Sequence, residues 1–186
     1  MNHPARWMLV ALLMSAANTA YGQSGNGFGV LVGAASPDGK LTNAFDMGST
    51  IELFGIRKTS YDPVALRLGV SYTRLSASST WHMSVTGVEP TIAYEFKSLP
   101  LTPSIFGGPG WYLIKDEATQ RQFVNAVETA PHDFSRSAFG GVLGGRIEFT
   151  LKGLKVPIEY AHHAVPGFLS SGGIVKFNTL SIGLKF

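Results

Sequence analysis

From Phe28 to the C-terminus, apolar and polar side chains alternate with a period of two, and helical periodicity is nearly absent. Leu66, Leu68, Val70 and Tyr72 share one face of a strand whose other face carries Arg67, Gly69, Ser71 and Thr73. Val88, Pro90, Ile92, Tyr94 and Phe96 oppose Glu89, Thr91, Ala93 and Glu95 in the same way. In Phe139–Phe149, the residues Phe139, Leu143, Ile147 and Phe149 stand against Gly140, Val142, Gly144, Arg146 and Glu148. Leu154–Tyr160 repeats the pattern, and the last strand sets Leu180, Ile182, Leu184 and Phe186 against Thr179, Ser181, Gly183 and Lys185. Phe28–Ala35, Thr50–Ile56 and Pro103–Leu113 are richer in glycine or interrupted by Glu52, and complete a set of eight predicted strands.

Alternation suits both a soluble sandwich, apolar face inward, and a membrane barrel, apolar face outward. Three features favour the barrel. The polar faces combine small residues with isolated charges of both signs, as the narrow interior of an eight-stranded barrel requires. The connections alternate in length: Ser36–Ser49, Leu75–His82, Ile114–Ala138 and Ala161–Phe177 are long, whereas Arg57–Pro63, Lys97–Leu101 and Thr150–Gly153 are short. Aromatic residues gather near strand ends, with Tyr72 and Trp111 toward one rim and Tyr94, Phe96, Phe149 and Phe186 toward the other. The expected fold is an all-β, eight-stranded antiparallel transmembrane β-barrel with long external loops and short periplasmic turns.

Met1–Gly22 has a basic start at Arg6, an apolar stretch from Trp7 to Met14 and small residues after it. It reads as a signal peptide cut after Gly22 or Ala20, since a spanning helix needs about 20 apolar residues. The expected division is residues 1–22 as signal peptide and residues 23–186 as barrel, exported and inserted in the outer membrane. Without any cysteine in 186 residues, disulfide scaffolds, thiolate metal sites and cysteine nucleophiles are excluded. A net charge of +3 without a basic run does not favour nucleic-acid binding.

The segments PSIFGGPGWYLI (Pro103–Ile114), FGGVLGGRIEF (Phe139–Phe149), VPIEYAHH (Val156–His163) and the closing LSIGLKF resemble the small outer-membrane barrels of Gram-negative bacteria, of OmpA and opacity-protein type. The resemblance implies a monomeric outer-membrane, porin-like or OmpA-like envelope protein surrounded by lipid and lipopolysaccharide. It also implies passage through periplasmic chaperones and the barrel-assembly machinery, with Leu180, Ile182, Leu184 and Phe186 as the terminal assembly signal. The expected role is structural or surface-interacting, with a narrow channel or small-ligand carrier as the alternative.

Glu52, Arg67, Glu89, Arg146, Glu148 and Glu159 all take the inward parity. Isolated buried charges are costly, so Arg67 and Arg146 are expected to neutralise Glu89, Glu148 and Glu159 in a network that plugs the lumen, leaving an excess of acid. A polar channel or proton path is the functional alternative.

His162 and His163 are expected as a polar pair at the rim. Their region loosely resembles the lipid A 3-O-deacylase barrels, in which a His, a Ser two residues later and an acid cooperate. Here the corresponding positions are Ala164 and Val165, and Ser170 and Ser171 lie at another spacing. No catalytic residue is therefore assigned, and a deacylase-like hydrolase is a second alternative. Adjacent strand histidines point to opposite faces, so no metal site is expected, nor any cofactor. The loop bearing Lys115, Asp116, Glu117, Arg121, Gln122 and Asn125 is long enough for a short helix and is the candidate recognition surface.

Overall fold

Strands with an apolar outer face cannot leave a sheet edge open in a medium without water, so the sheet has to close on itself. The computed structural model describes residues 26–43, 45–78, 81–96, 101–118, 122–124, 127–129, 133–166 and 174–186. The predicted signal peptide, Arg121, Asn125, Ser170 and Ser171 lie outside them.

Among the described residues the strands are β1 (Gly27–Asp38), β2 (Asp46–Lys58), β3 (Val64–Ser78), β4 (Trp81–Glu95), β5 (Leu101–Ala118), β6 (Gln122–Val124), β7 (Val127–Thr129), β8 (Asp133–Leu151), β9 (Leu154–Pro166) and β10 (Ile174–Lys185). All but β6 and β7 form a closed antiparallel barrel, in which β5 pairs directly with β8 and β1 with β10. The seam is tied at the terminus by reciprocal bonds, Phe28 N–H to Phe186 O at 3.1 Å and Phe186 N–H to Phe28 O at 2.8 Å. The two rings meet at 5.4 Å. Lys152 (φ 49°) and Gly153 (φ 85°) make a two-residue turn between β8 and β9, both in the left-handed region that such hairpins need.

Two expectations about connections change. The stretch expected to hold a short helix is a β-ribbon: β5 and β8 pair as far as Glu117↔Asp133, and β6 pairs with β7 beyond them. The predicted long connection Leu75–His82 is absorbed mostly into strands, since β3 runs to Ser78 and β4 begins at Trp81. A five-residue 3-10 helix, Gly39–Asn43, follows β1.

The strands on one wall are long: 15 residues in β3 and β4, 18 in β5 and 19 in β8, against 12 in β1 and β10. A tilted spanning strand needs about 9–11 residues. The excess lies at the end away from the termini, here called the far end.

Toward the far end the burial pattern inverts. On β3 the exposed side chains are Leu66, Leu68 and Tyr72, with Val70 half-buried between them, followed by Arg74 and Ser76. The buried ones are Arg67, Gly69, Ser71 and Thr73, followed by Leu75. β10 repeats the switch: Thr179 and Ser181 are buried under outward Leu180 and Ile182, then Phe177 and Val175 are buried under Asn178 and Lys176. β4 follows, with Glu89 and Thr91 buried in one half and Val85 and Met83 in the other. The pleat keeps its parity; the polarity of its two faces is exchanged.

Candidate functional site

The lumen is filled in layers. The middle layer is ionic and aromatic. Glu52 on β2, Arg67 on β3, Arg146 on β8 and Glu159 on β9 all face inward and are buried. Glu159 bridges the two cations: its Oε1 accepts from Arg67 Nη2 at 2.8 Å, and its Oε2 accepts from Arg146 Nη2 at 2.6 Å and Nε at 2.9 Å. Arg67 Nη2 also donates to Glu52. The guanidinium planes lie over aromatic faces, Arg146 at 4.3 Å from the Phe54 ring and Arg67 at 4.5 Å from Phe106. Two acids and two bases thus share a buried volume, with ring faces against the guanidinium groups.

Above it lies a second layer. His163 Nδ1 is 3.1 Å from Glu89 Oε1, and Ser71 Oγ donates to that oxygen at 3.4 Å. Tyr112 Oη and Thr179 Oγ1 each lie 3.5 Å from a His163 ring nitrogen. The Phe177 ring stacks on His163 at 4.5 Å. Glycines make the room. A Cβ on Gly87 would meet Ser71 Oγ at 2.8 Å and Glu89 Oε1 at 2.9 Å, and one on Gly110 would meet the Tyr112 ring at 2.6 Å.

The far end is closed by an apolar layer of Leu75, Met83, Val85, Ile114, Val165, Val175 and Phe177, onto which Leu41 and Phe45 fold from the first connection. At the opposite end Glu148 takes Lys185 Nζ at 2.9 Å and Lys155 Nζ at 3.8 Å, and Lys58 meets Glu95 at 3.2 Å.

The expected network is therefore divided. Arg67, Arg146, Glu52 and Glu159 are brought together, but Glu89 is held by His163 and Glu148 by the two lysines. The apparent excess of acid came from counting Glu148 without Lys155 and Lys185. His163 is not a rim residue: its parity turns it into the lumen, where it is 3% exposed. His162, on the opposite face, meets Asn178 Oδ1 at 2.8 Å and Asp38 at 3.9 Å, and Tyr160 Oη donates to the same Asn178 oxygen at 2.9 Å. The arrangement brings no hydroxyl nucleophile to His162 among the described residues. Leu180, Ile182, Leu184 and Phe186 all face outward. Sequence reasoning missed Phe54 and Phe106; the signal was available, since Phe54 shares the parity of Glu52 and Phe106 that of Ser104.

No protein-family model matches the chain, and no curated protein matches it in sequence. Solved structures do match in shape. Neisserial surface protein A aligns with a TM-score of 0.58 at 16% identity, over 87% of this chain and 96% of that one. The fold is that of the small outer-membrane barrels. A major outer membrane protein of Thermus thermophilus aligns at 0.56 and 12% identity, over 87% and 98% of the two chains. Ail, the attachment invasion locus protein of Yersinia pestis, aligns at 0.51 and 12%, over 87% and 97%.

Proposed function

We propose that the protein is an integral outer-membrane barrel whose plugged lumen serves as a rigid support, and whose far end projects from the membrane to meet partners at the surface. The observation that carries this reading is the polarity inversion along β3, β4 and β10. A barrel in water throughout would gain nothing from exposing Leu66, Leu68 and Tyr72 while burying Arg67, Ser71 and Thr73. In lipid that arrangement is the favourable one, and it reverses where water replaces acyl chains. In this reading the termini end is periplasmic, and the ribbon of β5–β8 and β6–β7 is external.

Support and surface interaction are favoured over conduction because each lumen layer is closed by paired charge or packed apolar side chains. After expression, membrane fractionation and a boiled-versus-unboiled gel test insertion. The protein is expected in the outer-membrane fraction with a heat-dependent shift, and recovery as soluble periplasmic protein would refute the reading. Planar-bilayer recordings separate support from conduction: stable ion-selective openings would favour the channel.

A further inference from the structure

Just past the inversion, one outward row crosses five strands through paired residues: Ser49↔Arg74, Arg74↔Ser84, Ser84↔Lys115 and Lys115↔Ser135. Arg74 and Lys115 are exposed, and among the described residues neither has a carboxylate partner. They stand two strand spacings apart, about 10 Å, on either side of Ser84. Ser84 has outward parity, opposite to Met83 and Val85, yet it is only 6% exposed. The floor between the two cations is thus a covered hydroxyl. On the other wall the equivalent cation, Lys176, has Asp38 as its register partner, so a carboxylate shares its row.

Two neighbouring rows set the depth. Toward the termini the next outward positions are Ile51, Tyr72, Thr86, Leu113 and Ser137, and one step further Leu53, Val70, Val88, Trp111 and Phe139. Away from the termini the next row holds Asp46, Ser76, His82, Glu117 and Asp133. On this wall outward positive charge therefore begins one step beyond an aromatic-apolar band, with exposed Arg136 of β8 next to Ser135. A long soluble polyanion wants a broad basic face. A layer of headgroup phosphates at a lipid boundary wants a thin one at this depth, where each Lys or Arg adds to the attraction, and the guanidinium and ammonium are both phosphate donors.

Resting on the membrane reading above, we infer that Arg74, Ser84 and Lys115 form a binding site on the outer wall for the phosphorylated headgroup of a glycolipid in the surrounding leaflet. Arg74 and Lys115 take the phosphate oxygens, Ser84 donates between them, and the acyl chains lie along Tyr72, Trp111 and Phe139. The site faces one side of the barrel only, so lipid is held on the β3–β4–β5 wall.

The test uses the full mature chain refolded into zwitterionic bicelles, with insertion verified by the heat-dependent gel shift. A fluorescent bisphosphorylated diglucosamine lipid is titrated against its dephosphorylated counterpart with the same acyl chains; inorganic phosphate and a sulfated polysaccharide serve as competitors. The wild type should prefer the phosphorylated lipid by about twenty-five-fold, from two cations at about five-fold each. R74A/K115A should reduce the preference to about two-fold or less, and R74K/K115R should keep most of it. An undiminished preference in R74A/K115A, or equal binding of the two lipids by wild type, overturns the site. So does a polysaccharide that displaces the lipid at lower charge concentration than phosphate lipids themselves. Failure of the wild type to insert removes the membrane reading as well, whereas insertion without phosphate preference removes only the lipid site.

Discussion

The membrane-facing band and the projecting rim are built from the same strands, with the same pleat and opposite chemistry. In the band, Arg67, Arg146, Glu52 and Glu159 are inside and leucines are outside. In the rim, Leu75, Met83, Ile114 and Phe177 are inside, and Arg74, Lys115 and Lys176 take the outer positions. The rim is an ordinary water-soluble β core, held by the hydrophobic effect. The band cannot use that effect outward, where lipid offers no penalty to escape, so its order comes from directed interactions across the lumen. One fold therefore carries two stabilisation mechanisms in series, joined by the His163–Glu89 layer, where Phe177 stacks on the imidazole.

The largest effect should come from removing the bridge in the band. Glu159→Ala leaves Arg146 without its carboxylate and Arg67 with Glu52 alone, so the barrel is expected to lose about 3–5 kcal/mol. The urea midpoint of the inserted protein measures this, and a midpoint within error of wild type would contradict the account. Outward charge in the band comes next. Leu68→Lys is expected to cost about 2–4 kcal/mol, as a cation at mid-membrane depth does, and the fraction inserted into vesicles reports it. In the rim, Leu41→Ala removes an apolar cap residue and should cost about 2 kcal/mol. Its signature is local: faster amide exchange at Leu75, Met83 and Val175 with an unchanged rate at Arg67 and Glu159. Equal acceleration in both regions would show that the two mechanisms are not separable. Smallest of all, Arg74→Leu should change insertion stability by no more than about 1 kcal/mol, in contrast to Leu68→Lys three pleats away on the same face.

Within the band much of the molecule was readable in advance. The parity of β2, β3, β4, β8 and β9 puts Glu52, Arg67, Glu89, Arg146, Glu148 and Glu159 on the inner face, because a strand's side chains alternate whatever surrounds it. The rim was less readable. A stretch such as Arg74-Leu75-Ser76 also alternates, and nothing local says that apolar now means inside. For the same reason Leu75–His82 reads as a loop, although Leu75, Ser76 and Ser78 pair with Met83, His82 and Trp81.

Partners were harder still. Glu89 is closer in sequence to Arg67 than to His163, but barrel closure brings β9 across the lumen and gives it the histidine at 3.1 Å. Glu148 is two residues from Arg146 and on the same face, yet its bond goes to Lys185 from β10.

The amino-acid order by itself determined the strands, their number in the barrel and the side of the wall on which each charge lies, since these follow from a period of two. Which charge meets which, where the polarity turns over, and that Arg74 and Lys115 flank a covered Ser84 were decided only by the tertiary structure. Register and closure set distances between strands far apart in the chain, and no local preference carries that information.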